Sequence, residues 1–281
     1  MAAPANHQLI YTASGDPSNP LLILIHGWLS HRGVWRTTIP ALQQHFYCVA
    51  VDLLGFADNN KPPDGDYTIA AQAHRVVALA DELGFQKFNL IGHSMGGQIA
   101  TYVAAIIVPG RVERLVSVAG VVTGRLTPFV ENIIARTGSL GERFPVLYDR
   151  VSEWLEQYQW LANFMFSPWF YDMNGMPFEA WKVDRQMATQ RSIAVSASKT
   201  YDSLHITNLT AYLGGVQART LVFSGKQDGT VPVAQAHLLA EQIKGAQLVL
   251  YDKCGHFPMF EKPDEYLAAL NAFFAGSEEI L

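Results

Sequence analysis

Apolar residues along this chain gather into two kinds of run. Six are short and strand-sized, several of them apolar throughout: Leu21–Ile25, Tyr47–Val51, Phe88–Ile91, Leu115–Ala119, Thr220–Ser224 and Gln247–Tyr251. Unbroken apolar runs suit parallel strands covered on both faces. Between them, apolar residues recur at helical spacing. Ile69–Leu83 closes at Gly84, Val233–Ile243 follows Pro232 and closes near Gly245, and Asp264–Phe274 follows Pro263. This alternation predicts an α/β fold with a mostly parallel, doubly wound sheet. Ligands of such sheets bind at the carboxyl ends of the strands.

One stretch breaks the rhythm. From about Gly124 to Gly214 no parallel strand is evident. This segment holds Trp154, Trp160, Trp169 and Trp181, with Phe164, Met165, Phe166, Phe170, Met173 and Met176. It reads as a mostly helical insertion, part of it ordinary helical core. Aromatic residues lying over strand ends also suit a lid or pocket wall.

The heptad from Ile91 to Gly97 reads Ile-Gly-His-Ser-Met-Gly-Gly. A strand-forming run precedes it, and a helix-compatible stretch, Gln98 to Ile107, follows. A strand that turns sharply into a helix strains its apex residue, here Ser94, and needs glycine two positions to either side, here Gly92 and Gly96. The apex hydroxyl is then exposed near a helix N-terminus, as a nucleophile requires.

Composition narrows the setting. With 49% hydrophobic and 16% charged residues, 281 residues suffice for one large α/β domain or two small ones. A net charge of −5 gives no basic footprint for nucleic acid. No run reaches the roughly 18 apolar residues of a membrane span. Met1 to Asn6 lacks a signal pattern, so a cytoplasmic home is expected. Cys48 and Cys254 are expected to be buried free thiols, and no metal-ligand spacing is evident. Asp64-Gly65-Asp66 is too short for a calcium loop.

A serine nucleophile needs a base with a pKa near neutrality, which points to histidine. His256, in Cys254-Gly255-His256-Phe257-Pro258, follows the last strand run by a short loop. The base needs an acid to hold its tautomer, and Asp228 follows the Thr220–Ser224 strand. The order Ser94, Asp228, His256 is that of a nucleophile-elbow hydrolase. Asp252 reads as a loop-capping or solvated acid, His93 as structural, and His74, His205 and His237 as helix or lid positions. Acyl transfer also needs oxyanion donors, each worth roughly 3 kcal/mol. The Met95 amide is one candidate. The Trp28 amide, in His26-Gly27-Trp28, is the other, with His26 bracing the loop.

Together these motifs resemble the α/β-hydrolase fold serine hydrolases over about residues 7–123 and 215–275. The resemblance implies a hydrolase core, residues 1–123 and 215–281, with a helical cap at 124–214 and no cofactor. Trp35 and Asp52 are further family-like features. The loop after Asp52 departs from the pattern at Ala57, where relatives often carry glycine, and at Asp58. Serine at the elbow argues against the dehalogenase and epoxide-hydrolase branches, which use aspartate. What remains implied is a carboxylesterase acting on small-molecule esters. Second come lactonases and hydrolases that cleave carbon–carbon bonds of aromatic ring-fission products, and last a hydrolase-fold ligand receptor. The pocket is expected to draw on Trp28, Trp35, Trp154, Trp160, Trp169, Trp181 and Phe257.

Overall fold

Every residue of Leu21–Ile25 is fully buried. Leu21, Ile23 and Ile25 join one apolar cluster, whereas Leu22 and Leu24 join another. A strand buried on both faces must lie inside a sheet covered by two layers. The computed structural model, which describes residues 8–135, 144–173 and 181–276, has that arrangement. Among the described residues seven strands form one sheet: β1 Ile10–Ser14, β2 Leu21–Ile25, β3 Tyr47–Asp52, β4 Phe88–His93, β5 Val112–Val118, β6 Arg219–Gly225 and β7 Gln247–Tyr251. Their order is β1-β3-β2-β4-β5-β6-β7. Only β1 runs antiparallel, pairing Ile10 with Asp52 and Ser14 with Cys48.

The helices Ile69–Glu82 and Met95–Tyr102 cover one face. Pro263–Ala275 and the short turn Ile39–Leu42 cover the other. Thr68 caps Ile69–Glu82 by accepting the Ala71 amide, and Gly84, at φ 84°, lets the chain leave. The stretch expected to be helical to Ile107 is α-helical only to Tyr102. It continues as a π-turn, Val103–Ile107. β1 has no counterpart in the sequence reading. Four of its five residues are exposed, so no buried face marks it, and its backbone pairing with β3 alone makes it a strand.

Between β5 and β6 the described residues form helices and turns but no strand. Pro145–Gln157, Gln159–Phe166 and Lys182–Thr189 share a small core of their own, with Leu155, Phe166, Phe170 and Trp181 buried in it. Ala194–Ile206 instead packs on the main core through Ala197 and Leu204. No helix of the described residues is long and apolar enough to cross a membrane. Met176 and the N-terminal residues 1–7 lie outside the described residues. Asp64 to Asp66 lies in a surface turn where the Asp66 carboxylate accepts the Thr68 amide.

The loop after β3 does differ locally. Ala57 holds φ 47°, a left-handed conformation that explains a preference for glycine there. Asp58 pairs with Arg32 at 2.8 Å, and Arg32 also pairs with the buried Asp52.

Candidate active site

Ser94 stands between the end of β4 and the helix Met95–Tyr102, with φ 55° and ψ −119°. Such a backbone costs on the order of 1–3 kcal/mol in a non-glycine residue. The flanking glycines make the turn possible. A Cβ on Gly92 would run into the Gly96 carbonyl, and one on Gly96 would run into the carbonyl of Ile25. The elbow is therefore pressed against the end of β2. Its carbonyl accepts the amides of Gly97 (2.9 Å), Gln98 (3.2 Å) and Val121 (3.1 Å).

The His26-Gly27-Trp28 loop lies alongside. A Cβ on Gly27 would stand 3.1 Å from the Ser94 Cβ. His26 Nδ1–H donates to the Gly27 carbonyl (2.7 Å) and Nε2 accepts the Leu53 amide (3.1 Å). The ring thus ties the loop after β2 to the loop after β3. Burial pushes its pKa down to about 4, against the opposing influence of Asp52. In an unfolded chain histidine titrates near 6.5. Between these values the unfolded chain binds a proton that folded His26 refuses. Its contribution to stability is therefore full above pH 6.5 and falls by about 3 kcal/mol as the pH drops to 4. Urea unfolding at pH 7 and pH 4.5 should register this decline, with a shallower one in His26→Asn. An equal decline in that variant would assign it to other groups.

Asp228 and His256 meet across two strand ends. His256 Nδ1–H donates to Asp228 Oδ2 at 2.8 Å, and both side chains are almost wholly buried. Asp228 Oδ1 accepts the amides of Thr230 (2.7 Å) and Val231 (2.9 Å), which fixes the carboxylate plane. The turn that carries Asp228 is pinned to the His256 turn by Gln227 N–H on the Cys254 carbonyl (3.1 Å) and Cys254 N–H on Gln227 Oε1 (3.2 Å). His93 Nε2–H donates to the His256 carbonyl at 2.9 Å. Its ring packs 4.6 Å from those of His256 and Phe257. Burial and the neighbouring His256 hold His93 far below the usual histidine range, hence neutral.

Ser94 and His256 open on one cavity of about 50 Å³. Trp28, Trp169, Trp181 and Phe257 line it. Trp35, Trp154 and Trp160 do not. The turn Arg32–Trp35 carries Trp35 under the sheet, where it is fully buried beside Leu22 and Leu24. Pro145–Gln157 packs Val151 and Leu155 into the small core, while Trp154, at the edge of the same helix side, is 43% exposed. Trp160 begins the next helix and is 70% exposed, because that helix faces inward through Ala162 and Phe166. Asp252 is solvent-facing and pairs with Lys226 at 2.9 Å. His205 meets Arg125 at 3.0 Å outside the cavity.

Two acids unmarked by the sequence reading join the insertion to the rest of the site. Glu261 accepts the amides of Gly255 (2.9 Å) and Phe257 (3.4 Å), on either side of His256, and of Tyr171 (2.7 Å) in the insertion. Burial raises its pKa, and those amides oppose the rise. Asp184 lines the cavity and is held by Arg36 (2.9 and 3.0 Å) and His31 (3.1 Å). Trp28 Nε1–H on the Ala197 carbonyl (2.9 Å) and His256 N–H on that of Trp169 (2.8 Å) complete the ties. None of these pairs lies at a motif spacing, and only the short His256-to-Glu261 interval hints at one of them.

A parallel sheet bearing a strained serine elbow, with an aspartate–histidine pair at neighbouring strand ends, defines a fold class. The family model described as the alpha/beta hydrolase fold matches residues 20–263, and the chain belongs to that family. Within it, the chain is 26% identical to the monoacylglycerol lipase ABHD6 of Homo sapiens over 96% of this chain and 80% of the relative. It is 27% identical to the 2-hydroxy-6-oxo-2,4-heptadienoate hydrolase of Pseudomonas putida over 92% and 90%. The solved structure of a meta-cleavage product hydrolase superposes with a TM-score of 0.78 at 23% identity, over 97% of this chain and 96% of that one.

Proposed function

We propose that the protein is a serine hydrolase that cleaves carboxylic esters of apolar, small to medium substrates through an acyl-enzyme. The observation that carries this reading is the strained Ser94 opening on the same cavity as His256, whose Nδ1–H is engaged by buried Asp228. That hydrogen bond leaves Nε2 as the basic nitrogen. His256 Nε2 takes the Ser94 Oγ proton as Oγ attacks the acyl carbon. The amides of Met95 and Trp28 receive the oxyanion, one at the helix N-terminus and one on the loop braced by His26. Collapse breaks the ester C–O bond, and His256 returns the proton to the departing alkoxide. Water then attacks the acyl carbon, giving its proton to His256, and the acid leaves as Ser94 regains the proton. No cofactor enters any step. Residues 124–214 act as a cap over the strand ends. The free, buried thiols of Cys48 and Cys254 suit a reducing, cytoplasmic setting.

The monoacylglycerol lipase relative, named for an ester substrate, supports this reading. The Pseudomonas putida relative supports a second, cleavage of a carbon–carbon bond in a dienoate ring-fission product. Rapid mixing with 4-nitrophenyl esters separates the two. An ester hydrolase gives a burst of nitrophenol approaching one per enzyme, then steady turnover. Rapid bleaching of a yellow dienoate with weak ester turnover would replace the first reading by the second.

A further inference from the structure

The cavity beside Ser94 does not end at its own walls. A second chamber, of about 210 Å³, adjoins it inside the insertion. Trp28, Leu29, Trp169 and Ala188 line both and form the neck between them. A water-sized group needs roughly 10–15 Å³ of such space. The inner chamber, about 50 Å³, therefore accepts only the reacting carboxyl and its first few neighbouring atoms. The outer one has room for a chain on the order of ten carbons.

Its lining is chemically one-sided. Among the described residues none that borders it is charged, and Leu147, Val151, Leu155, Met165, Phe166 and Ile193 are part of its wall. The Ser152 hydroxyl, one of its few polar groups, is already spent on the Thr189 carbonyl at 3.1 Å. A space with few polar groups among its described walls, Tyr148 and Thr189 being the others, disfavours ions and sugars and favours hydrocarbon by the area it removes from water. Phe144 and Leu147 border the chamber and are 49% and 58% exposed.

We infer that the outer chamber is a chain-binding subsite, that the substrate is an ester bearing a linear hydrocarbon chain of medium length, and that the Trp28–Ala188 neck sets the path of that chain. This rests on the ester-hydrolase reading. The chain belongs to either the acyl or the alkyl side of the ester, and the two sources are separable by choice of substrate.

The test is a chain-length series in two arms, 4-nitrophenyl acyl esters from acetate to decanoate and alkyl acetates from ethyl to decyl. In the wild-type protein, kcat/KM rises with length in one arm, by at least tenfold between the shortest and longest chains. Filling the chamber by Ser152→Phe, or the neck by Ala188→Leu, lowers the long-to-short ratio in that arm at least tenfold. Enlarging it by Leu155→Ala moves the optimum to longer chains. A wild-type protein that gains nothing from length in either arm overturns the inference. So do filled variants of native thermal midpoint whose ratio is unchanged. If a filled variant misfolds, the wild-type series and Leu155→Ala still decide. Short-ester turnover abolished by Ser94→Ala but indifferent to chain length would leave the ester-hydrolase reading standing and remove only the subsite. Absence of ester turnover altogether would remove both.

Discussion

Ser94→Ala should lower kcat/KM toward a 4-nitrophenyl ester by ~10⁴–10⁶-fold, the range over which serine hydrolases lose their nucleophile. The thermal midpoint should stay within a few degrees of wild type. The two readouts separate because of how the elbow is built. Its fold-holding bonds are backbone ones: the Ser94 carbonyl accepts three amides, and its own amide donates to the Val118 carbonyl at 2.9 Å. Alanine keeps all four, and its methyl occupies the space the serine Cβ already has. What disappears is the oxygen that would form the acyl bond. Rates close to wild type would remove Ser94 from the proposed mechanism, however well the variant folds. Thermal unfolding beside steady-state kinetics on the same preparation makes the comparison.

The parts of this arrangement that were legible in the sequence share a physical cause. β2, β3 and β4 are buried on both faces, so their runs are apolar but for Asn89 and stand out from any surface element. The Ser94 elbow was legible because its sterics tolerate only glycine at 92 and 96, a constraint written in residue identity. β1 was not legible, since its side chains are mostly exposed and its strand character comes from backbone pairing. The pocket tryptophans divide for a similar reason. Side-chain type says that Trp154 and Trp160 are large and apolar, but whether each is covered follows from packing among segments distant in sequence, which leaves them 43% and 70% exposed. Trp35 sits just after a loop that borders the site, and the turn that buries it is only four residues long. Glu261 and Asp184 were invisible because their partners, Tyr171 and Arg36, lie 90 and 148 residues away.

Asp228→Asn should lower kcat/KM by about 10⁴-fold at neutral pH, the loss seen when a triad acid becomes its amide. The geometry explains why a change of one atom has so large an effect. Asp228 Oδ1 is committed to the Thr230 and Val231 amides, at 2.7 and 2.9 Å, and only an oxygen can accept both. An asparagine would therefore keep its oxygen there and turn its NH₂ toward His256. That NH₂ needs an acceptor, so Nδ1 would lose its hydrogen and Nε2 would carry it. A protonated Nε2 cannot take the Ser94 proton, and the imidazolium formed during attack would have no buried anion to stabilise it. Stability should change little, because the two amide bonds persist and a buried charge is removed along with its partner's need for it. Asp252, 73% exposed and paired with Lys226, is the internal control. Asp252→Asn should leave kcat/KM within about twofold, as expected of a screened surface pair. If the effects came out reversed, with Asp228→Asn nearly silent and Asp252→Asn crippling, the acid would belong to the loop after β7 and the contact at 2.8 Å between Asp228 and His256 would be structural only.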